Sequence, residues 1–158
     1  LADMVLNFAR NGETEPLGEY FAAGYTADFA NARGDTPLIL AAYHGHADAV
    51  RLILDQPDRA VDRLNQMGFT ALAGASFKGD VAIVRLLIQA GADVNATGPG
   101  GKTPLMFAAL TNREAAVELL LESGADPLAK ATDGSTAASL AAGQGSAALA
   151  ERLSEGRR

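Results

Sequence analysis

The stretch "GKTPLMFAALTNREAAVELLLESGADPLAK" (residues 101–130) decides the fold, because its opening Gly-x-Thr motif recurs along the chain. The motif appears as "GDTPL" at 34–38, "GFTAL" at 68–72, "GKTPL" at 101–105 and "GSTAA" at 134–138. The motif glycines are 34, 33 and 33 residues apart. Self-similarity at a fixed period of this length is typical of repeat proteins, so we expect the chain to be built from copies of one structural unit.

Each period contains the signals for two helices. The motif threonine suits a helix N-cap, and Pro37 and Pro104 suit the first helical turn, where a missing N–H costs nothing. Apolar residues then follow at helical spacing, up to a residue nine positions after the threonine that can adopt the left-handed conformation ending a helix. These predicted turn residues are Gly45, Gly79, Asn112 and Gly145. A second amphipathic run follows each turn, and a polar link predicted to form a hairpin-like loop leads to the next motif.

These residues at these offsets resemble the ankyrin repeat, and the resemblance covers essentially the whole chain. It implies an all-α solenoid of about five helix–turn–helix repeats, in which 34–54 and 101–130 match the family pattern most closely. We expect a single domain over residues 1–158. Its approximate repeats are 1–33, 34–67, 68–100, 101–133 and 134–158.

The first and last repeats depart from the pattern in a way that predicts caps. A solenoid must cover its terminal apolar faces, and polar Arg152 and Ser154 replace apolar residues in the final helix. The second repeat is also unusual, because Pro57 stands where a glycine closes the second helix elsewhere and the following link has one extra residue. We therefore expect capped ends, which favour a monomer, and an atypical loop after the second repeat.

The composition restricts the class of function. A net charge of -6 and a pI near 4.8 argue against nucleic-acid binding, which usually needs a basic stripe. There is no cysteine, and His44 and His46 lie two residues apart and so do not share a helix face, which predicts neither a metal site nor a cofactor. No apolar run approaches the roughly 18 residues of a membrane span. The sequence also lacks the Gly-x-Ser-x-Gly signature of a serine nucleophile, so it gives no indication of an enzyme. The sequence leaves localisation open, with the cytoplasm favoured over a processed exported form.

The resemblance also implies which residues face a ligand. In ankyrin repeats they lie four, three and one residues before the motif threonine and seven and eight residues after it. The candidate partner-binding residues are Arg33, Asp35, Tyr43, His44, Met67, Phe69, Phe77, Lys78, Lys102 and Leu110. Large apolar side chains with neighbouring cations are typical of binding hot spots, which predicts a non-enzymatic module that binds another protein through its concave face. The alternative is that Phe69 and Phe77 fold back and only pack the stack.

One segment suggests a different function. "ATGPGGKT" (96–103) fits a permissive form of the phosphate-binding loop, so nucleotide or small-ligand binding at this loop is an alternative. However, no apolar strand precedes it, and Lys102 occupies the position of the repeat that varies freely. We interpret the match as a coincidence of phase. A further alternative, an accessory regulator of a specific enzyme, differs from the main prediction only in the identity of the partner.

Overall fold

The computed structural model describes residues 1–156, and within this range the chain forms helices and no strands. The helices, in chain order, are α1 (Ala2–Asn11), α2 (Thr14–Ala22), α3 (Pro37–Tyr43), α4 (Ala47–Leu54), α5 (Ala71–Lys78), α6 (Val81–Gln89), α7 (Pro104–Leu110), α8 (Glu114–Glu122), α9 (Ala137–Gly143) and α10 (Ala147–Ser154). They form five helix–turn–helix pairs joined by short turns, which confirms the predicted all-α repeat solenoid. Each of the five predicted sequence ranges contains one pair, and the boundaries between the ranges stay a prediction.

The motif threonines start the first helices of the four later pairs. Each threonine hydroxyl accepts a hydrogen bond from the backbone N–H three residues further along, which satisfies one of the free donors at the helix end. The donors are Ile39, Ala73, Met106 and Ser139, at 3.1, 3.0, 3.3 and 3.1 Å. Pro37 and Pro104 occupy the first helical position of α3 and α7, as the sequence predicts.

The turn inside each of these pairs uses the predicted left-handed residue. The four residues have φ angles between 54° and 81°. Asn112 holds this position in the fourth pair with φ 54°, and it is the one residue other than glycine with positive φ among residues 1–156. Asparagine tolerates the conformation better than most side chains, so the helical turn is kept without a glycine.

The helices form two rows with the core between them. The first helices α1, α3, α5, α7 and α9 pack in one row, and the second helices α2, α4, α6 and α8 pack in the other, with α10 against α9. Leu72, Ile83, Leu87, Leu105 and Leu120 are fully buried between the rows, each at 0% exposure. Removal of this apolar surface from water is the main stabilising term of the stack.

The links between pairs are closed by backbone hydrogen bonds, which confirms the hairpin-like loops. In one loop the Asn65 N–H donates to the Phe69 carbonyl oxygen at 3.0 Å. Neighbouring loops are also joined, because the Gln66 N–H donates to the Arg33 carbonyl oxygen at 2.8 Å. The loop tips are therefore held in a row beside the first helices.

The loop after the second pair is atypical, as the sequence predicts. No left-handed glycine closes α4, and the next such residue is Gly68. Asp58 instead attaches this loop to its neighbour by accepting hydrogen bonds from the Thr26 hydroxyl and from the Ala27 N–H. The Gln56 side-chain amide donates to the Leu52 carbonyl oxygen at the end of α4, at 3.0 Å.

At the C-terminal end, Leu149 and Leu153 of α10 are buried, whereas Arg152 forms an ion pair with Glu118 of α8. The polar residue in the last helix therefore faces a neighbouring helix edge rather than the core. Among residues 1–156, no helix is long and apolar enough to cross a bilayer, and the longest, α1, has 10 residues.

Candidate functional site

The candidate residues come together because the loop tips and the C-terminal ends of the first helices lie along one side of the stack. A hollow of about 400 Å³ opens there between the first three repeats. The residues lining this first hollow are Arg10, Arg33, Asp35, Ile39, Leu40, Tyr43, His44, Asn65, Gln66, Met67 and Phe69. Six of the ten predicted residues are in this set.

A second hollow of about 270 Å³ adjoins the first. Its lining residues are Met67, Gly68, Gly98, Gly100, Lys102, Phe107 and Leu110. Met67 lines both hollows and is 77% exposed, so its side chain stands between them with most of its apolar surface in water. We call the two hollows together the groove.

The floor of the groove rests on four rings that we call the aromatic cluster: Tyr43, Phe69, Phe77 and Phe107. The Phe69 ring lies at the centre, with centroid distances of 6.2 Å to Tyr43, 5.9 Å to Phe77 and 4.8 Å to Phe107. The cluster joins side chains from three successive repeats, and edge or tilted ring pairs at such distances add to the stabilisation from burial. The packing alternative for Phe69 and Phe77 is therefore realised in part, because both are half-buried rather than solvent-facing.

Phe107 was not among the predicted residues, although its ring supports the groove. It is 9% exposed and lies four residues after the motif threonine, a position that the family pattern does not mark as ligand-facing. The same position in the preceding repeat is Gly74, where an added Cβ would lie 3.4 Å from the Tyr43 ring. A Cβ at this position would therefore be in ordinary van der Waals contact with the ring. A change of side-chain volume at this offset, from Gly74 to Phe107, is the one signal in the sequence that could have indicated irregular packing here.

Asp35 lies deeper than the predicted ligand-facing positions around it. Its carboxylate is buried at 7% exposure and accepts a hydrogen bond from the Asn65 side-chain amide at 2.9 Å. It also accepts a longer bond from the Asn31 amide at 3.3 Å, and the Arg33 guanidinium lies 3.3 Å away. The Asp35 side chain thus links two neighbouring loops and lines the groove only from below.

Asn65 holds the loop that carries Met67, the most exposed apolar residue of the groove. Its side-chain oxygen accepts hydrogen bonds from the backbone N–H groups of Met67 and Phe69, both at 3.0 Å. An asparagine that bonds to the backbone two residues on is a common way to build a tight turn. This turn directs Met67 outward and Phe69 toward the aromatic cluster, so Asn65 is a further supporting residue that the sequence analysis missed.

Cationic side chains surround the first hollow. The Lys78 ammonium lies 5.0 Å from the centre of the Tyr43 ring, a favourable cation–π distance. Arg10 and Arg33 line the hollow beside His44. Burial of the ring, followed by the positive charges of Arg10, His46 and Lys78, lowers the pKa of His44, and the Asp35 carboxylate opposes this shift.

This pKa shift predicts a pH dependence of stability. Since the folded state disfavours the charged ring, the unfolded chain binds the proton more tightly, and stability is full above the ordinary histidine pKa of about 6.5 and falls as the pH drops below it. We expect the His44→Gln variant to lose less thermal stability than the parent between about pH 8 and about pH 5. Melting curves across this range test the effect. Parallel pH profiles for the two proteins would show that His44 does not carry it.

The other histidine has a structural position. The His46 ring nitrogen Nε2 lies 2.8 Å from the Arg10 carbonyl oxygen, a distance at which it donates a hydrogen bond to the preceding repeat. The same ring packs closely over Gly12, where an added Cβ would lie 2.5 Å from Nδ1. His46 therefore joins the first two repeats.

The 96–103 segment has the conformation of a repeat loop. It follows no strand within the described residues, and the Thr103 hydroxyl caps α7 by accepting from the Met106 N–H. The Gly101 N–H donates to the Gly98 carbonyl oxygen at 2.9 Å, so it closes the turn instead of pointing to an anion. The arrangement lacks the preceding strand from which such a phosphate-binding loop extends, and one of its glycine N–H groups is already bonded within the turn.

Comparison with known proteins gives a consistent result. The family model for ankyrin repeats (three copies) matches residues 6–98 and 83–131. Ankyrin repeat and SOCS box protein 3 of Homo sapiens is 34% identical over 99 residues, which are 61% of this chain and 19% of that protein. A putative ankyrin repeat-containing protein of Treponema pallidum (strain Nichols) is 31% identical over 97 residues, 61% of this chain and 32% of that protein.

A third relative shows the same pattern of partial coverage. Alpha-latrocrustotoxin-Lt1a of Latrodectus tredecimguttatus is 40% identical over 73 residues, 46% of this chain and 5% of the toxin. The matched stretch thus spans from 5% to 32% of the length of these three relatives. Most of each relative lies outside the shared segment.

Proposed function

The chain belongs to the ankyrin-repeat family, whose repeats generally mediate protein–protein interactions and are typically not enzymes, and on this premise we propose that it binds a segment of another protein in the groove. The residues that contact the segment are Arg33, Tyr43, His44, Met67, Phe69, Lys78, Lys102 and Leu110. In this proposal Asp35, Phe77 and Phe107 support the groove from beneath.

The observation that carries the proposal is the position of Met67. A methionine that is 77% exposed and stands between two hollows leaves apolar surface in water at the place where both hollows meet. Burial of such a side chain by a partner is worth about 1.5–3 kcal/mol. Methionine is also flexible enough to adapt to the shape of an incoming side chain.

The surroundings of Met67 fit the anatomy of a binding hot spot. Tyr43 and Phe69 are half-buried rings held in place by the aromatic cluster, so they offer contact area without losing much conformational freedom on binding. Arg33 and Lys78 are exposed beside them. An apolar centre with a charged rim is the usual organisation of a protein interface.

We expect Met67→Ala to weaken partner binding about tenfold or more while leaving the fold intact, since the lost burial exceeds the 1.4 kcal/mol or so that corresponds to a factor of ten. The matched control is Met4→Ala, which removes the same side chain from a 49% exposed position on α1 outside both hollows.

The experiment captures partners from a lysate of cells that make the protein, with the parent, Met67→Ala and Met4→Ala as baits. Each protein that the parent retains is then identified and purified, and its affinity for all three baits is measured. Circular dichroism of each bait checks that its helices are intact. Equal affinity for all three baits would place the binding site elsewhere on the stack.

A further inference from the structure

We propose that the bound segment is an acidic peptide stretch, with Asp or Glu on either side of one apolar anchor residue. This inference rests on the proposed function, because it assigns a chemistry to the occupant of the same groove. Three observations carry it: the separation of charge between the two helix rows, the cations that line the groove, and the order of apolar and charged groups along it.

The two rows of helices differ in charge. The first helices contain one carboxylate, Asp3 in α1, whereas the second helices contain seven, which lie in α2, α4, α8 and α10 and not in α6. The chain as a whole has a net charge of -6. The row of first helices, whose C-terminal ends border the groove, is therefore less acidic than the row of second helices.

Cations line the groove itself. Arg10 and Arg33 face the first hollow, and Lys102 faces the second. Among the described residues that line either hollow, Asp35 is the only carboxylate, and it is buried and bonded to Asn65. The groove thus offers positive charge to a ligand and almost no accessible negative charge.

The two arginines are held in position and still have donors to offer. The Arg10 guanidinium donates to the Asn7 side-chain oxygen at 2.6 Å through one nitrogen. The Arg33 guanidinium contacts Asp35 through one nitrogen while its side chain remains 72% exposed. A guanidinium has five N–H donors, so each arginine can also bind a carboxylate of a partner, and its restricted motion lowers the entropy cost of doing so.

The order of groups along the groove sets the order of residues in the ligand. Arg10 and Arg33 lie at the first hollow, Met67 stands between the hollows, and Lys102 lies at the second. The charge of Lys102 is partly balanced by the carboxylate of Asp133. Hydrogen bonds from Ser135 lower the pKa of Asp133, and the positive charge of Lys102 lowers it further. The stronger positive charge is therefore at the first hollow, beside Tyr43 and Met67.

A short acidic segment suits this distribution better than an extended polyanion does. A nucleic acid would bring many charges against a protein of net charge -6, and the long-range repulsion would oppose its approach. A peptide with a few carboxylates pairs only with the local cations. Its apolar residue would cover Met67 and the exposed parts of Tyr43 and Phe69.

The test selects ligands without assuming a partner. Random peptides of about twelve residues, displayed on phage, are enriched on the immobilised parent protein, and clones that also bind Met67→Ala are removed. The retained peptides are synthesised and their affinities measured at salt concentrations from about 50 to about 300 mM, because screening weakens charge pairing over this range. A single-stranded oligonucleotide serves as the polyanion probe.

Two double variants with equal net charge separate groove charge from total charge. Arg10→Gln with Arg33→Gln removes two charges at the first hollow, whereas Arg51→Gln with Arg85→Gln removes two from exposed positions on α4 and α6. We expect the retained peptides to be acidic with an apolar residue, and to bind the first double variant about tenfold more weakly and the second within about twofold of the parent. Their affinity falls as salt rises, and the oligonucleotide does not compete.

The possible failures are distinct. Retained peptides that are neutral or basic, or that bind both double variants equally well, would overturn the acidic assignment and leave the groove as the binding site. Competition by the oligonucleotide would indicate that the ligand of the groove is an extended polyanion instead of an acidic peptide. Enrichment of no peptide that depends on Met67 would instead contradict the proposed function.

Discussion

The Phe107→Ala variant is expected to lose about 3–5 kcal/mol of unfolding free energy, the usual cost of removing a buried phenylalanine ring from a core. Phe107 is 9% exposed, and its ring centroid lies 4.8 Å from Phe69 and 6.5 Å from Phe77. The two remaining rings would face a cavity rather than a neighbour. Because they belong to the preceding repeat, the loss falls on the interface that couples the third and fourth repeats.

Chemical denaturation followed by circular dichroism measures this loss. Leu110→Ala is the control on the same helix, since Leu110 is half-buried and lines the same hollow without belonging to the aromatic cluster. We expect its cost to be at most about half that of Phe107→Ala, in line with its partial burial. Phe107→Leu keeps most of the volume and should cost about 1.5 kcal/mol or less. If Phe107→Ala proved no more costly than Leu110→Ala, the cluster would not be a stabilising unit.

The fold could be predicted from the sequence because its determinants are local. Thr70 caps α5 by accepting a hydrogen bond from the Ala73 N–H, three residues further along. Asn112 ends α7 by adopting a left-handed conformation. Both residues therefore act on backbone within a few residues of themselves. The copies along the chain repeat the same local choices. A pattern that recurs with a fixed period therefore determines helices, turns and stacking together.

The candidate site could be predicted only in outline. The periodic offsets located the groove face, but the burial of Phe69 depends on Phe107, which is 38 residues away in the chain and follows no family rule. The Tyr43 ring likewise lies against Gly74, which belongs to the next repeat. The burial of each ring depends on the size of the side chains that pack against it from neighbouring repeats. A single sequence does not reveal which of these side chains are in contact.

The burial of Asp35 likewise depends on a residue outside its own repeat. Its offset marks it as ligand-facing, yet Asn65 donates to it from the next loop and covers the carboxylate. A carboxylate is seldom buried without such partners, because leaving water costs it several kcal/mol. Whether a polar loop residue faces solvent or supports its neighbour depends on the facing loop, which the motif does not describe.

This loop contact leads to the second large effect, a loss of about 2–4 kcal/mol on replacing Asn65 by Ala. Asn65 is 8% exposed, and three hydrogen bonds depend on its side chain: the amide donates to Asp35, and the oxygen accepts from the N–H groups of Met67 and Phe69. Alanine would leave the buried carboxylate with one donor fewer and two N–H groups without an acceptor. A buried group left unsatisfied costs about 1–3 kcal/mol, and more when it is charged.

Asn31→Ala is the matched control, because Asn31 also accepts from two backbone N–H groups in its own loop, those of Arg33 and Asp35, but is only half-buried. Its bond to the Asp35 carboxylate is also longer, at 3.3 Å against 2.9 Å. We expect its cost to be about 1 kcal/mol, since water can replace part of what is lost. Urea unfolding of both variants gives the comparison. Equal costs would mean that the hydrogen bond between the two loops adds no stability beyond that of the turns themselves. A larger cost for Asn65→Ala, together with weaker groove binding by its folded molecules, is the result that we expect. It would show that one buried amide both stabilises the stack and holds Met67 in position to bind.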